Sequence, residues 1–420
     1  MNDKEFYTHI LGIKLPWYVD RVELNKNNSR VDIYIEHEAD IQVRCPECKE
    51  FYAVYDHGRE RIYRHLDTCQ LETYVHVKLP RANCPKHGIK QIESEFGEND
   101  TSMTHAFECH VIEVAQACDV QAAGRLCRLT WDKSWNAIER AVERGLARKK
   151  KRIPVQIGVD EKSFGKGHKY ETIVYDLAGS NVEFVCDNRK QESLEEYYQQ
   201  FSKRQLKRVK AIAMDMWDPY IAATKAYIVD AESKIVFDRF HVMKLVLDGV
   251  DKVRRQEQAI LAESKNDVLT GTKYLWLWSK ENVPEYRRYE FEQLRNQDLK
   301  VCRAWGLKEN IRHMWTYRSK SWMWRFFNNW YLWAVHSRLA PMIKAAKTLK
   351  AHIANIITYA DLRITNALGE SLNSKIEKIK RMACGFRNRA HYRLAIYFHC
   401  GGLSLFPKRS RLSSLRFRPC

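Results

Sequence analysis

The spacing of apolar residues divides the first part of the chain into two kinds of structure. Residues 31–36 (Val-Asp-Ile-Tyr-Ile-Glu) and 74–79 (Tyr-Val-His-Val-Lys-Leu) alternate between apolar and polar side chains, which is typical of strands. Between residues 105 and 147 apolar side chains such as Val111 and Ala115 recur every three or four positions, as they do on one face of a helix. The pattern predicts a β-rich unit followed by a small helical one.

From residue 154 the pattern changes to apolar strands that alternate with helices. The strands are predicted at 153–160, 170–177, 182–186, 209–215 and 234–238. The helices are predicted at 193–202, 219–229 and 241–253. Three strands followed by helix, strand, helix, strand and helix is the order of an RNase H-like sheet. In that sheet the first and fourth strands are neighbours, so we expect their ends to meet.

Residues 254–355 carry no strand pattern and are rich in tryptophan. We interpret most of these tryptophans as the core of a helical insertion, while one or two could instead stack on unpaired DNA bases. Six of the tryptophans cluster between positions 305 and 333: Trp305, Trp315, Trp322, Trp324, Trp330 and Trp333. A closing helix is then predicted from the apolar spacing of Leu368, Leu372, Ile376 and Ile379.

The composition indicates a polyanionic partner. The chain has 71 Lys and Arg against 52 Asp and Glu, a formal net charge of +19. So large an excess favours nucleic acid, ahead of a membrane surface. No run of 18 apolar residues occurs, and the amino terminus lacks the pattern of a signal peptide. We therefore expect no membrane span and a cytoplasmic protein.

Two short turns carry a predicted zinc site. Cys45-Pro-Glu-Cys48 and Cys84-Pro-Lys-His87 each direct two ligands at one point, and together they supply the three thiolates and one imidazole of a tetrahedral structural site. Two or three short strands are predicted between them, as in a zinc ribbon with a long insert. The alternative is that these residues are free thiols in turns.

One other cysteine and three histidines lie near these turns in the sequence. Cys69 lies between the two turns without a partner, and we expect a buried thiol there. The alternative ligands, each more typical of an ordinary histidine, are His57, His65 and His76.

Three acidic residues form the predicted catalytic site. Asp160 and Asp215 close apolar strands, and Glu370 begins the closing helix away from its apolar stripe. Phosphodiester cleavage can use two Mg²⁺ ions about 3.5–4 Å apart, and Mg²⁺ prefers oxygen ligands. We expect Asp160 to bridge both ions, Asp215 to bind one and Glu370 the other. Taken singly, each acid is more typical of a structural role, an aspartate as a helix cap and the glutamate as a solvated side chain, and it is their joint placement that indicates catalysis.

Four further acids compete for these roles. Glu161 follows the first aspartate but is expected to point to the opposite side of its strand, and Asp218 could cap the next helix. Asp238 ends the fifth strand and is the strongest rival as a metal ligand. Glu377 lies seven residues after Glu370 on the same helix face and is the rival third acid.

The helical unit predicts a DNA-reading element. Residues 122–129 and 130–138 resemble a helix-turn-helix, whose second helix would enter the major groove, although any small helical bundle gives a similar pattern. Its first turn offers Lys133, Ser134 and Asn136 as DNA contacts.

Two basic stretches are predicted to contact phosphates. The first is either a solvated linker or a phosphate-contacting hinge, and it comprises Arg148, Lys149, Lys150, Lys151 and Arg152. The second continues the helix that begins near Glu370 and suits a groove that receives DNA. Its predicted contacts are Lys375, Lys378, Lys380, Arg381 and Arg387.

The fold class that follows is a multidomain α+β protein, with an N-terminal zinc ribbon, a helical helix-turn-helix domain and an RNase H-like α/β core that carries an all-helical insertion. The predicted segments are a β-rich zinc-binding unit at 1–100, the helix-turn-helix unit with its basic linker at 101–152, the first part of the core at 153–253, the insertion at 254–355, the closing helix of the core at 356–400 and a basic tail at 401–420.

Three motifs carry a resemblance that covers nearly the whole chain. They are Val-Asp-Glu-Lys-Ser-Phe at 159–164, Asp-Arg-Phe-His-Val at 238–242, and residues 365–373 with the basic stretch 380–388. They closely resemble bacterial insertion-sequence transposases of the DDE type that carry an N-terminal zinc finger and a helix-turn-helix. The one departure is Ser371, where relatives often have glycine.

The resemblance implies Mg²⁺-dependent cutting at terminal inverted repeats, followed by attack of the freed 3′-hydroxyl on target DNA. It assigns catalysis to Asp160, Asp215 and Glu370, with Mn²⁺ as an alternative ion. It assigns zinc to Cys45, Cys48, Cys84 and His87. The implied partners are double-stranded DNA at transposon ends and targets, with a homodimer or larger assembly pairing two ends in the bacterial cytosol at the nucleoid. The alternatives are a structure-directed nuclease and a transposase-derived DNA-binding regulator.

Overall fold

The structure, a computed structural model, describes residues 2–98, 100–165, 169–364 and 367–407. The predicted basic tail beyond Pro407 lies outside the described residues, as do Thr365 and Asn366 of the third motif. Within the described ranges no helix has the length and hydrophobicity that crossing a bilayer requires.

The amino-terminal unit is built around a five-stranded sheet. Its elements are α1 (Asp3–Leu11), β1 (Trp17–Asn25), β2 (Arg30–His37), β3 (Val43–Arg44), β4 (Phe51–Tyr52), β5 (Val54–Thr68), β6 (Leu71–Cys84) and β7 (Gly88–Gln91). The strand order is β1-β2-β6-β5, with β7 paired to β6. Ile33, Ile35, Val75 and Val77 are buried in its core, so the strands predicted from alternation at 31–36 and 74–79 are confirmed.

The predicted length of the strands between the two cysteine turns was wrong. We expected two or three short strands, but β5 has 15 residues and β6 has 14. β5 lies at the sheet edge, and the half that begins at Val54 carries mostly exposed polar side chains. A strand with one neighbour and little buried surface lacks the apolar alternation that reveals a strand in sequence.

Three helices follow, as predicted. They are α2 (His105–Ala117), α3 (Val120–Cys127) and α4 (Trp131–Arg148). Each begins with a side-chain cap, from Thr104, Asp119 and Thr130, which satisfies a backbone N–H that has no partner in the first turn. Gly124 lets α3 approach the turn before α4, since a Cβ there would lie 3.0 Å from the carbonyl oxygen of Leu129.

The second sheet has the predicted RNase H-like order. Its strands are β8 (Gln156–Gly165), β9 (Lys169–Asp176), β10 (Asn181–Asp187), β11 (Ala211–Met214) and β12 (Ile235–Phe237), arranged as β10-β9-β8-β11-β12. The first and fourth of these, β8 and β11, are parallel neighbours. The helices on this part are α5 (Gln191–Gln199), α6 (Lys203–Leu206), α7 (Asp218–Tyr227), α8 (Ala231–Lys234) and α9 (Arg239–Glu263).

Two strand limits differ from the prediction in a way that concerns the site. The first strand was predicted to end at Asp160, but β8 continues to Gly165 because it pairs with the antiparallel β9 along that length. The fourth strand was predicted at 209–215, and only 211–214 pairs. Asp160 therefore lies at the end of the parallel pairing rather than at the end of its strand.

The insertion is helical throughout its described length. Its helices are α10 (Lys273–Leu277), α11 (Glu285–Arg295), α12 (Lys300–Ile311), α13 (Lys320–Val335), α14 (Ala340–Ala351), α15 (Ile353–Ile357) and α16 (Tyr359–Leu362), with 3₁₀ turns at Lys280–Asn282 and Arg312–Thr316. Trp305, Trp315 and Trp330 are buried, which confirms the core interpretation for half of the cluster. The exposed half lies on α13 and comprises Trp322, Trp324 and Trp333.

Two helices complete the core. These are α17 (Ala367–Met382) and α18 (Arg389–Cys400). α17 packs Leu372 and Ile376 with α18 against Ile173 and Tyr175 of β9. This contact fixes the start of α17, and with it Glu370, relative to the sheet.

Candidate metal centres

Asp160 and Asp215 lie side by side on neighbouring strands. The parallel pairing of β8 with β11 sets Gly158 opposite Ala213. Two residues further on, the same register brings Asp160 level with Asp215. The strands thus place together two acids that are 55 positions apart in the chain.

The next strand adds a third acid at the same level. β11 pairs in parallel with β12, and Met214 lies opposite Phe237. Asp238, which comes one residue later, is therefore level with Asp215. Its backbone N–H donates to the carbonyl oxygen of Met214 at 3.2 Å, which extends the pairing to the acid itself.

Asp160 is held in one orientation by hydrogen bonds to both of its oxygens. Its Oδ1 accepts from the backbone N–H of Glu161 at 2.8 Å, and its Oδ2 accepts from Nδ2 of Asn373 at 2.6 Å. The hydroxyl of the buried Tyr175 donates to Oδ1 of Asn373 at 2.6 Å, which fixes the orientation of that amide. Burial raises the pKa of the Asp160 carboxyl, while the Glu161 amide, His241 and Asn373 oppose that rise.

Asp215 is the more accessible of these two acids. Its side chain is 43% exposed, and its Oδ2 lies 3.4 Å from Nδ1 of His241 at the start of α9. Its Oδ1 accepts the backbone N–H of Met216 at 2.6 Å. One face of this carboxylate therefore remains open to solvent.

Glu370 lies on α17 above the three strand acids. It precedes Asn373 by nearly one helical turn, so the hydrogen bond from Asn373 to Asp160 brings this turn of α17 to the sheet. The side chain of Glu370 is exposed. Partial burial raises the pKa of its carboxyl, and the charges of Asp238 and Asp160 raise it further, while His241 opposes them. The four acids therefore repel one another across a shared space.

The rival acids differ in their surroundings. Glu161 accepts from Arg189 at 3.1 Å. Asp218 is an exposed first residue of α7, and its side chain makes no cap hydrogen bond, so the predicted capping role was wrong. Glu377 faces Arg381 at 3.7 Å. Of the four rival acids, Asp238 is the one that lies level with Asp160 and Asp215 on the neighbouring strands.

Three thiolates and one imidazole converge in the amino-terminal unit. Sγ of Cys48 lies 3.7 Å from Sγ of Cys84, and Nδ1 of His87 lies 3.4 Å from Sγ of Cys84 and 3.9 Å from Sγ of Cys45. Tetrahedral zinc with bonds of about 2.3 Å to sulfur sets neighbouring ligand atoms about 3.5–3.8 Å apart. The predicted ligand set therefore fits a structural zinc ion.

The second nitrogen of His87 supports this assignment. Its Nε2 lies 3.7 Å from Oε2 of Glu47, and Oε1 of Glu47 accepts from Nζ of Lys90 at 2.7 Å. A carboxylate on the outer nitrogen is the usual way to orient a metal-binding histidine. The contact is longer than a hydrogen bond, and it lies on the side of the ring away from Nδ1, which faces the sulfurs of Cys84 and Cys45.

The alternative ligands are not part of this set. In the described part of the chain, the one group of three or more cysteine, histidine or acidic side chains whose ligand atoms all lie within 4.8 Å is Cys45, Cys48, Cys84 and His87. Cys69 is exposed, so the prediction of a buried thiol was wrong. It sits at φ 50° in the tight turn between β5 and β6, where the side chain points outward.

Two family models match the regions that contain these two groups of side chains. A family model described as a transposase of the ISL3 type matches residues 157–396, which is more than half of the chain. A second, described as the zinc-finger of transposase IS204/IS1001/IS1096/IS1165, matches residues 41–87. The chain belongs to the ISL3 family of DDE transposases.

Two relatives of this family member match along nearly all of their length. The transposase for insertion sequence element IS1001 of Bordetella parapertussis is 25% identical, over 90% of this chain and 94% of the relative. The transposase for insertion sequence element IS1557 of Mycobacterium tuberculosis is 24% identical, over 92% of this chain and 93% of the relative.

The predicted DNA-reading residues of this ISL3-family chain fall on two sides of α4. Lys133 and Asn136 are exposed. Ser134 is fully buried, and its hydroxyl donates to the carbonyl oxygen of Thr130 at 3.1 Å. The prediction for Ser134 was wrong, because this position of α4 faces Gly124 of α3 rather than solvent.

Two of the five basic residues at 148–152 make short polar contacts with other segments of the chain. Arg148 donates to the carbonyl oxygen of Phe406 at 2.5 Å, and Lys149 lies 2.8 Å from Glu183. These two side chains tie the carboxy-terminal segment and β10 to α4, so the phosphate-contacting prediction does not fit them. The three that stay exposed are Lys150, Lys151 and Arg152.

Two of the five predicted basic residues after Glu370 also form hydrogen bonds within the chain. Lys375 donates to the carbonyl oxygen of His399 at 2.7 Å, and Lys380 to that of Ser163 at 2.8 Å. The members of the predicted set that are exposed and make no hydrogen bond among the described residues are Lys378, Arg381 and Arg387. These three remain available to a partner.

Asn373 and Tyr175 were missed as members of the acidic site. Asn373 stands three residues after Glu370 in the quoted third motif, and that helical spacing was the available signal. Nothing in the strand that contains Tyr175 distinguishes it from an ordinary core residue.

Proposed function

We propose that this chain binds the terminal inverted repeats of its insertion sequence and catalyses Mg²⁺-dependent DNA cleavage and strand transfer. The observation that carries the proposal is the level placement of Asp160 and Asp215 on neighbouring strands, with Glu370 held above them through Asn373. An oxygen-only set of acids with an open side suits an ion that retains water.

The acids have separate roles in this proposal. Asp160 would bridge two divalent ions, Asp215 would bind one and Glu370 the other. When bound, such ions activate the attacking oxygen and stabilise the leaving oxygen of a phosphodiester. Asn373 keeps Asp160 in a single orientation, and the exposed faces of Asp215 and Glu370 admit the DNA backbone.

The remaining surfaces would bring DNA to this site. We assign end recognition to segments 1–100 and 101–152, with Lys133 and Asn136 of α4 facing the major groove. Catalysis is assigned to segments 153–253 and 356–400. The exposed basic residues proposed for phosphate contacts are Lys150, Lys151, Arg152, Lys378, Arg381 and Arg387. A homodimer or larger assembly would pair two ends.

The test is incubation of the purified protein with labelled DNA of the element's own end, a target plasmid and Mg²⁺. We expect cut ends and ends joined to the plasmid, both dependent on Mg²⁺. A matched duplex with a scrambled terminal repeat is the control and should give neither. Cutting without joining would favour a nuclease, and binding without cutting would favour a DNA-binding regulator.

A further inference from the structure

Asp238 is the most deeply buried of the four acids around the sheet. Its exposed fraction is 5%, whereas Asp160 and Asp215 are half-buried and Glu370 is exposed. Its Oδ1 accepts the backbone N–H of Phe240 at 3.2 Å, which caps α9. Its Oδ2 is buried and has no hydrogen-bond partner among the described residues. Leaving a carboxylate oxygen buried without a partner is costly.

Capping explains only one of these two oxygens. A helix cap needs a single acceptor, and asparagine or serine serves about as well as aspartate. Asp119 shows the simpler case, because it caps α3 through Oδ1 at 3.0 Å to the N–H of Ala122 and is less buried. Capping therefore accounts neither for a full charge at Asp238 nor for its unpartnered oxygen.

No side chain in the described part of the chain neutralises Asp238. Ion pairs within 4.0 Å are found for Asp215, with His241, but not for Asp238. His241 lowers the pKa of the Asp238 carboxyl from beyond ion-pair distance, while the charges of Asp160 and Asp215, which are of the same sign as Asp238, raise it. Because His241 pairs with Asp215 rather than with Asp238, the buried Asp238 carboxylate still lacks a directly bound cation, and an ion from outside the chain would supply one.

The position of Asp238 suits that cation. It is level with Asp215 on the adjacent strand, and neighbouring strands lie about 4.8 Å apart. Two carboxylates at that separation can share a divalent ion that binds oxygen at about 2.1 Å. We propose that Asp238 is a further ligand of the divalent-cation site and acts through Oδ2. This inference rests on the proposed function.

The test compares Mn²⁺ binding by the zinc-loaded full chain and three variants, using isothermal titration calorimetry. Asp238→Asn keeps the cap and removes the charge, and Asp119→Asn makes the same change at the cap of α3, outside the group of acids. Asp215→Asn reports on the proposed site itself. We expect unchanged affinity for Asp119→Asn and at least about tenfold weaker binding for Asp238→Asn and Asp215→Asn.

Each other outcome has a definite meaning. Wild-type affinity in Asp238→Asn with weak binding in Asp215→Asn would overturn the role of Asp238 and leave the proposed function standing. Wild-type affinity in both variants, or no Mn²⁺ binding by the wild type, would reject both. If Asp238→Asn does not fold, as judged by circular dichroism, Asp238→Ser provides a second uncharged cap for the same comparison.

Discussion

The zinc centre and the acidic centre are both collections of metal-ligating side chains, but they are assembled in opposite ways. The zinc ligands come from two turns joined by one hairpin, and their ligand atoms lie within 4.8 Å of one another. The acids come from three strands and a helix that span residues 160 to 370. They converge less tightly, and two of them are exposed.

This difference matches two kinds of metal chemistry. A structural zinc site is closed, since four protein ligands fill its coordination. A catalytic site for Mg²⁺ must leave positions for water and for the phosphodiester. We therefore expect the ligands of the first centre to govern folding and those of the second to govern reaction rate.

The largest expected effect is at the closed centre. Cys48→Ser should remove most of the bound zinc and unfold the amino-terminal unit, because structural zinc contributes about 10 kcal/mol or more of folding free energy. Metal analysis and thermal unfolding measure this. Cys69→Ser, the same change at an exposed thiol outside the cluster, is the control and should retain about one zinc per chain. A Cys48→Ser protein with full zinc content would contradict the assignment.

The next effect is at the open centre and should leave folding intact. Asp215→Asn should lower cleavage by about 1,000-fold or more, since stabilisation by a metal ion amounts to several kcal/mol, while binding of the terminal repeat and zinc content stay unchanged. Cleavage and gel-shift assays report both. Asp218→Asn, three residues away and exposed, is the control. Equal cleavage by Asp215→Asn and the wild type would remove Asp215 from the site.

A smaller effect is expected from the residue that orients Asp160. Asn373→Ala should lower cleavage by about 10–100-fold, as is typical of residues that position metal ligands. Asn373→Gln cannot place its longer amide identically and should restore little. Single-turnover cleavage rates decide the matter. If Asn373→Ala cleaved at the wild-type rate, the hydrogen bond to Asp160 would have no part in catalysis.

The smallest effect concerns stability without added divalent ions. Burial raises the pKa of the Asp238 carboxyl, and the charges of Asp160 and Asp215 add to that rise, while the Phe240 amide and His241 oppose it. A carboxyl whose pKa is raised on folding stabilises the protein below its ordinary pKa and loses that contribution as pH rises. Asp238→Asn should therefore raise Tm at pH 7 and have less effect near pH 4.

Added Mn²⁺ sharpens this prediction. The wild type should then gain more in Tm than Asp238→Asn, because a bound ion stabilises in proportion to its affinity. Thermal unfolding at two pH values, with and without Mn²⁺, tests both parts. A lower Tm for Asp238→Asn in ion-free buffer at pH 7 would show that this charge is already compensated within the chain.

The difference between the two centres also explains which of their features could be predicted from the sequence. The zinc ligands were predicted in full, because each pair lies within four residues and a turn brings its two members together. The pairing of Asp160 with Asp215 was also reached, since the order of strands and helices determines which strands are neighbours. Local spacing and topology were sufficient for these features.

Features that depend on side-chain packing could not be predicted from the sequence. Burial of Ser134 follows from the close approach of α3 to α4 at Gly124, which helical periodicity alone does not distinguish from an exposed first turn. The hydrogen bonds from Tyr175 through Asn373 to Asp160 depend on how α17 lies on β9. The internal use of Arg148 and Lys149 likewise depends on where distant segments pass.

The central claim is that Asp160, Asp215 and Glu370 hold catalytic divalent ions. Anomalous diffraction from crystals of the full chain soaked in Mn²⁺ tests it most directly. We predict Mn²⁺ peaks within bonding distance of these three carboxylates and a separate zinc peak at Cys45, Cys48, Cys84 and His87. Mn²⁺ bound elsewhere, with no peak at the acids, would contradict it.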